Sequence, residues 1–128
     1  MNDVNNSTLS GRLVRDPENR VTPNGIPVCD ILIASNHWVS NKNRPNGIER
    51  QTTYAKVTLW GTKAEKWGNV LHKGDKILVV GKLVDDNYVL RLGNPGEEIT
   101  TRGRLKLDQV ELIAAIEEDK QEVNDGNP

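Results

Sequence analysis

Between Gln51 and Gly61 the chain reads Gln-Thr-Thr-Tyr-Ala-Lys-Val-Thr-Leu-Trp-Gly. Successive side chains leave a strand on opposite faces, so this period of two specifies a half-buried strand and excludes an amphipathic helix. Ala55, Val57 and Leu59 make the apolar face, and Thr52, Tyr54, Lys56, Thr58 and Trp60 make the other. The second face combines two aromatic rings and a cation with hydroxyls between them. Bases can stack on such rings while the ammonium meets phosphate. The same residues also suit the second face of a two-sided sheet, where Tyr and Trp are good strand formers. Taken alone, the stretch leaves both readings open.

Upstream, Leu9, Gly11 and Leu13 alternate with Ser10, Arg12 and Val14, giving a first strand that Pro17 ends for want of an N–H. Thr22-Pro23-Asn24-Gly25 reads as a turn. A second strand follows from about Val28 to Trp38, with Cys29, Ile31 and Ile33 on one face and Val28, Asp30, Leu32 and Ala34 on the other. Residues 39–50, with Lys42, Arg44, Arg50 and several Asn and Gly, read as a mobile basic loop. The organising strand is third. Beyond it, Thr62 with Glu65 has the spacing of a capping box, Ala64, Trp67 and Leu71 form one stripe, and Gly74 is the stop of a helix of about ten residues. His72 falls at the C-terminus of that helix. Trp67 belongs to the packing stripe and is left out of the candidate surface.

A fourth strand spans Lys76 to Leu83, and Asp85-Asp86-Asn87 is a turn into a short strand, Tyr88 to Leu92, which can pair with it as a hairpin arm. After Gly93-Asn94-Pro95-Gly96 a last strand runs from about Thr100 to Ile113, with Arg102, Arg104 and Lys106 on one face. Five principal strands with one short helix between the third and fourth is the element order of an all-β Greek-key barrel of the OB type. One such domain is expected over residues 1–115, with a short acidic disordered tail over 116–128.

The whole chain of 128 residues has a net charge of −1, which by itself argues against a polyanion ligand. The distribution reverses the argument, because residues 117–128 carry −4 and the preceding 116 carry +3. The single cysteine, Cys29, makes no internal disulfide and suits a reducing compartment. Met1 to Ser10 does not read as a secretion signal, and no apolar run approaches a membrane span. His37 and His72 are not spaced with Cys29 or a carboxylate as metal ligands would be, and no phosphate loop precedes the helix. No catalytic residues, metal or cofactor are expected. The candidate surface is then Trp38, Tyr54, Trp60 and Tyr88 for stacking, with Lys56, Lys73, Arg12, Arg102 and Arg104 for phosphate.

Several short motifs in order carry a resemblance: Leu9-Ser10-Gly11-Arg12-Leu13 with Asp16-Pro17-Glu18, Thr22-Pro23-Asn24-Gly25, Ile33-Ala34-Ser35-Asn36 before Trp38, Leu59-Trp60-Gly61 with Ala64-Glu65, and Leu71 with Lys73-Gly74-Asp75 and Gly81-Lys82-Leu83. The chain is similar, from about Leu9 to Ile113, to the bacterial-type single-stranded DNA-binding proteins. The resemblance implies an OB barrel assembled as a homotetramer, non-enzymatic, cytoplasmic and nucleoid-associated. Such a protein binds and protects single-stranded DNA without sequence preference during replication, recombination and repair. It places Trp38, Tyr54, Trp60 and Tyr88 at stacking positions, with Tyr54 where the family often has Trp. Family members recruit replication and repair proteins through an acidic tip closing on Pro-Phe, whereas this chain closes on Asn127-Pro128. An alternative is an OB-fold replication-restart accessory or interaction module acting mainly through protein contacts. RNA stays open as a ligand, since stacking platforms do not read the sugar.

Overall fold

The computed structural model of the chain describes residues 2–85, 88–91, 98–101 and 105–117, with side chains described outside 88–105. Its elements are β1 (Ser7–Leu13), β2 (Glu18–Val21), β3 (Pro27–Ser40), β4 (Ile48–Trp60), α1 (Thr62–Gly68), β5 (Lys76–Asp85), β6 (Tyr88–Arg91), β7 (Glu98–Thr101) and β8 (Leu105–Ile116). The hydrogen-bonded order is β1-β5-β8-β4-β3-β2, and β1 pairs again with β3. That extra pairing closes β1, β5, β8, β4 and β3 into a ring of five, with β4 and β8 parallel and the other neighbours antiparallel. This is an OB barrel with its helix between the third and fourth barrel strands, as the element order implies.

The barrel closes because β1 can lie against β3 at Gly11. A Cβ there would fall 2.6 Å from the carbonyl oxygen of Ala34, so only a glycine lets the two backbones approach. Inside, the odd-numbered residues of β3 and β4 meet β5 and β8: Cys29, Ile31, Ile33, Val57, Leu59, Ile77, Val79 and Leu107 are buried together, and Ala64 and Leu71 close one end. Trp67 packs half-buried against this cluster, in keeping with its place on the helix stripe.

Several local expectations differ. The helix is seven residues long, with Gly61 at its N-cap (φ 65°) and no side-chain cap, so Thr62 lies inside the first turn and makes no capping box. Gly61 takes the left-handed backbone that leads β4 directly into the helix, and its carbonyl accepts the first helical bond, from Glu65 N–H, at 3.1 Å. His72 and Gly74 therefore lie in turns beyond the helix and not at its end. β2 is an additional edge strand, paired with β3 from Glu18↔Asp30 to Val21↔Pro27. The short strand β6 pairs with β7, Tyr88 opposite Thr101, and not with the preceding barrel strand. The single last strand is divided into β7 and β8. The turn at Asp86-Asn87, the turn at Gly93 to Gly96, Arg102, Arg104 and the acidic segment from Glu118 onward lie outside the described residues.

Candidate nucleic-acid interface

β3 and β4 form a long hairpin in unbroken register from Val28↔Trp60 to Ser40↔Ile48. Directly opposed residues share a face, so the register sets one outer surface: Trp38 with Arg50, Asn36 with Thr52, Ala34 with Tyr54, Leu32 with Lys56, Asp30 with Thr58, and Val28 with Trp60. β1 adds Arg12 beside Ala34, and β8 adds Lys106 beside Lys56. The structure thus brings Trp38, Tyr54, Lys56, Trp60 and Arg12 of the sequence-derived candidates onto one side of the barrel. From Arg50, opposite Trp38, to Trp60 is about 33 Å of strand, so the rings lie along a track and not in a pocket.

The rings are exposed to an extent a sheet does not need. Trp38 and Tyr54 are each 65% accessible and Trp60 43%. Such aromatics normally bury their faces, and a row of them in the open marks a surface that something covers. A polar notch lined by Arg12, Asn36 and Lys76 opens on the same side, between β1, β3 and β5. Lys73 lies off the sheet, in the turn after α1. Its backbone N–H donates to Asp16 at 2.8 Å, and the Arg12 guanidinium donates to the carbonyl of the adjacent Gly74 at 3.1 Å, so the turn bearing Lys73 is tied to the Arg12 end of the surface.

The row on β4 is interrupted. Thr58, expected on the open face, is 0% accessible. Its hydroxyl donates to Asp30 at 3.0 Å, and Arg20 of β2 donates to the other Asp30 oxygen at 2.9 Å. Burial pushes the Asp30 carboxyl up, but the hydrogen bonds from Arg20 and Thr58, together with the charges of Lys56 and Arg20, outweigh it and leave the carboxyl below its ordinary value. β2 therefore lays a neutralised polar plug between Lys56 and Trp60. Nothing in the period of two reveals this, because the covering residue comes from a strand the sequence pattern does not announce.

The hairpin tip also differs from an open mobile loop. Its strands run on to Ser40 and Ile48, leaving 41–47 as the turn. Asn41 N–H donates to the carbonyl of Gly47 at 2.9 Å, and Glu49 accepts from Asn41 at 2.8 Å and Arg44 at 2.9 Å. Those hydrogen bonds, from Arg44 first, lower the Glu49 carboxyl. Arg44 is thus committed within the tip, whereas Arg50 has no hydrogen bond or ion pair among the described residues and stands exposed opposite Trp38. Arg50 is a member of the surface that reading 39–50 as a loop conceals; extending the alternation two residues upstream of Thr52 finds it. Tyr88 is placed only by its backbone pairing in β6, its side chain lying outside the description together with Arg102 and Arg104. Among the described residues no group of three or more His, Cys, Asp or Glu is placed to hold a metal ion.

A five-stranded barrel presenting an open, aromatic and cationic hairpin face makes this an OB-fold module with a linear exposed surface. Residues 4–113 match the model of the Single-strand binding protein family. The chain belongs to that family. It is 38% identical over 90 residues to the single-stranded DNA-binding protein of Thermus thermophilus, covering 70% of this chain and 32% of the relative. It is 35% identical over 85 residues to that of Lactiplantibacillus plantarum, covering 66% and 40%. The chain spans between about a third and a half of the length of such relatives. Among solved structures it is similar to a deletion mutant of the single-stranded DNA binding protein from Thermus aquaticus (TM-score 0.68, 27% identity, 89% of this chain and 51% of that one). The Plasmodium falciparum SSB complex with ssDNA shares the fold (TM-score 0.72, 16% identity, 91% and 98%).

Proposed function

We propose that this chain binds single-stranded DNA without sequence preference and shields it during replication, recombination and repair. The observation that carries the reading is the exposure of Trp38, Tyr54 and Trp60 along one hairpin face. Every base has a π-face, so a linear set of rings accepts any sequence, at about 1–3 kcal/mol for each stacked base. Arg12, Lys56, Arg50 and Lys73 supply phosphate contacts beside the rings. Family membership and relatives that are themselves single-stranded DNA-binding proteins support the same reading. The action is binding and not catalysis, in a cytoplasmic, nucleoid-associated setting. No helix among the described residues is long and apolar enough to cross a membrane.

The working form is an oligomer, a homotetramer by the family resemblance. The outer face of β1, β5 and β8 supports self-association: Leu78, Val80, Leu112 and Ala114 lie together there by register, and Leu112 is half exposed. Several barrels sharing one strand raise the effective concentration of each site, which a chain with few rings needs. Replication and repair proteins are proposed as further partners. An accessory module acting mainly through protein contacts is not favoured.

The test is a titration with oligo(dT) followed by tryptophan fluorescence at low and high salt, with light scattering on the same samples. Quenching, a mass of several chains and an affinity falling by about 0.7 log units per phosphate contact for each log unit of salt are expected. Unquenched fluorescence at low salt would overturn the reading.

A further inference from the structure

Trp60 differs from Trp38 in being anchored. Its indole N–H donates to the Asp108 carboxylate at 2.7 Å, and the backbone N–H of Gln109 donates to the same oxygen at 2.7 Å. The other oxygen lies 3.7 Å from the Lys106 ammonium. This arrangement depends on an irregularity in β8. Gln109 has φ 46°, and the register with β5 slips between Val80 and Lys82. At that point Gly81 lets the strands close, since a Cβ on it would sit 2.9 Å from the Asp108 carbonyl oxygen. A bulge bends a strand and re-aims a side chain. Here the re-aimed group is a carboxylate at the edge of the indole.

An acid on a surface meant for phosphate is a liability, because it repels the ligand. Its presence calls for a compensating role, and the geometry supplies one. The hydrogen bond fixes the indole by its N–H edge, leaving a ring face available to a base. Lys106, on the far side, offsets the charge and continues the cationic row from Lys56. Lys63 of α1 donates to the carbonyl of Val110 at 2.8 Å, holding the bulged segment against the helix that follows Trp60.

We propose that Asp108 is a positioning residue for nucleic-acid stacking: held by the β8 bulge, it orients the Trp60 indole before a strand arrives, so that less side-chain freedom is lost on binding. This rests on the reading of the hairpin face as a single-strand surface. Immobilising a free side chain costs an amount that corresponds to about two- to tenfold in affinity.

The sign of one substitution separates this role from plain electrostatics. Asp108→Ala removes a negative charge, and if charge alone mattered, oligo(dT) would bind more tightly. Positioning predicts binding about two- to tenfold weaker, with Asp108→Asn, which keeps the acceptor oxygen, recovering most of the loss. In a Trp60→Ala background the Asp108→Ala penalty should vanish, since there is no ring left to orient. The free protein gives a readout independent of DNA: the Trp60 indole N–H resonance, protected from exchange in the parent chain, should lose protection in Asp108→Ala and retain it in Asp108→Asn. Equal or tighter binding by Asp108→Ala, or a penalty of full size without Trp60, would overturn the proposal. The second result would mean that Asp108 acts through the fold. If the parent chain itself does not bind oligo(dT), the functional reading fails and the DNA role of Asp108 fails with it, whereas a protected indole would still report the anchor.

Discussion

At the scale of single residues, the surface is decided by which side chains are already engaged. Arg44 and Arg50 are six residues apart in one basic stretch, yet Arg44 is held by Glu49 while Arg50 stands open beside Trp38. Arg50→Ala should therefore weaken oligo(dT) binding and lower the salt slope by about 0.7, the share of one phosphate contact. Arg44→Ala should leave that slope nearly unchanged, and titrations at three salt concentrations check both. Asp30 shows the opposite use of charge. Asp30→Ala leaves the Thr58 hydroxyl buried without a partner and should cost about 1–3 kcal/mol in urea unfolding at neutral pH. Its folded carboxyl titrates below the unfolded value of about 3.9, so its stabilisation is present above that value and is lost as pH falls through the lower, folded one. The gap between parent and variant should accordingly close in acid.

At the scale of elements, alternation locates the strands and misjudges their ends. Gln51 to Gly61 announces β4 because Ala55, Val57 and Leu59 recur with period two and alternate with Tyr54, Lys56 and Thr58. The same rule finds the core face of β3 in Cys29, Ile31 and Ile33. It misses β2, since Glu-Asn-Arg-Val lies exposed throughout and carries no alternation to read. It also stops the hairpin short, because beyond Trp38 neither face is buried and the polar tip looks like loop. Thr62 and Glu65 show a capping box in spacing only: Gly61 turns the chain with a positive φ and occupies the cap itself. Gly11 is legible as a backbone need only once β1 is seen against β3. Gly11→Ala should force β1 from the Ala34 carbonyl and cost about 1–3 kcal/mol, read as a lower thermal midpoint, with binding lost only as the barrel opens.

For the whole molecule, net charge is a poor guide and its distribution a better one. A chain at −1 carries a barrel-bearing portion at +3, so acidic residues are segregated toward the C-terminal end. The core has one chemical mark of its own. Burial first, and the Asp30 charge second, push the Cys29 thiol up to about 11. The folded chain then keeps its proton where the unfolded chain loses it, so this contribution to stability is present below the unfolded value near 9 and declines as pH rises toward 11. Urea midpoints should fall over that range in the parent and fall less in Cys29→Ala, and a thiol reagent should label Cys29 only on unfolding. The candidate track was legible in the sequence as residue types on one strand. That Arg20 and Asp30 interrupt it, and that Asp108 anchors its last ring, comes from strands distant in sequence.

The central claim is that Trp38 and Trp60 carry single-strand binding. Its most direct test is the affinity of the Trp38→Ala, Trp60→Ala double variant for oligo(dT), measured by anisotropy of a labelled strand, with the thermal midpoint as a check on folding. Two lost stacking contacts predict binding at least about thirtyfold weaker at an unchanged midpoint. A folded double variant that binds within about twofold of the parent would contradict the account and move the function to another face of the barrel.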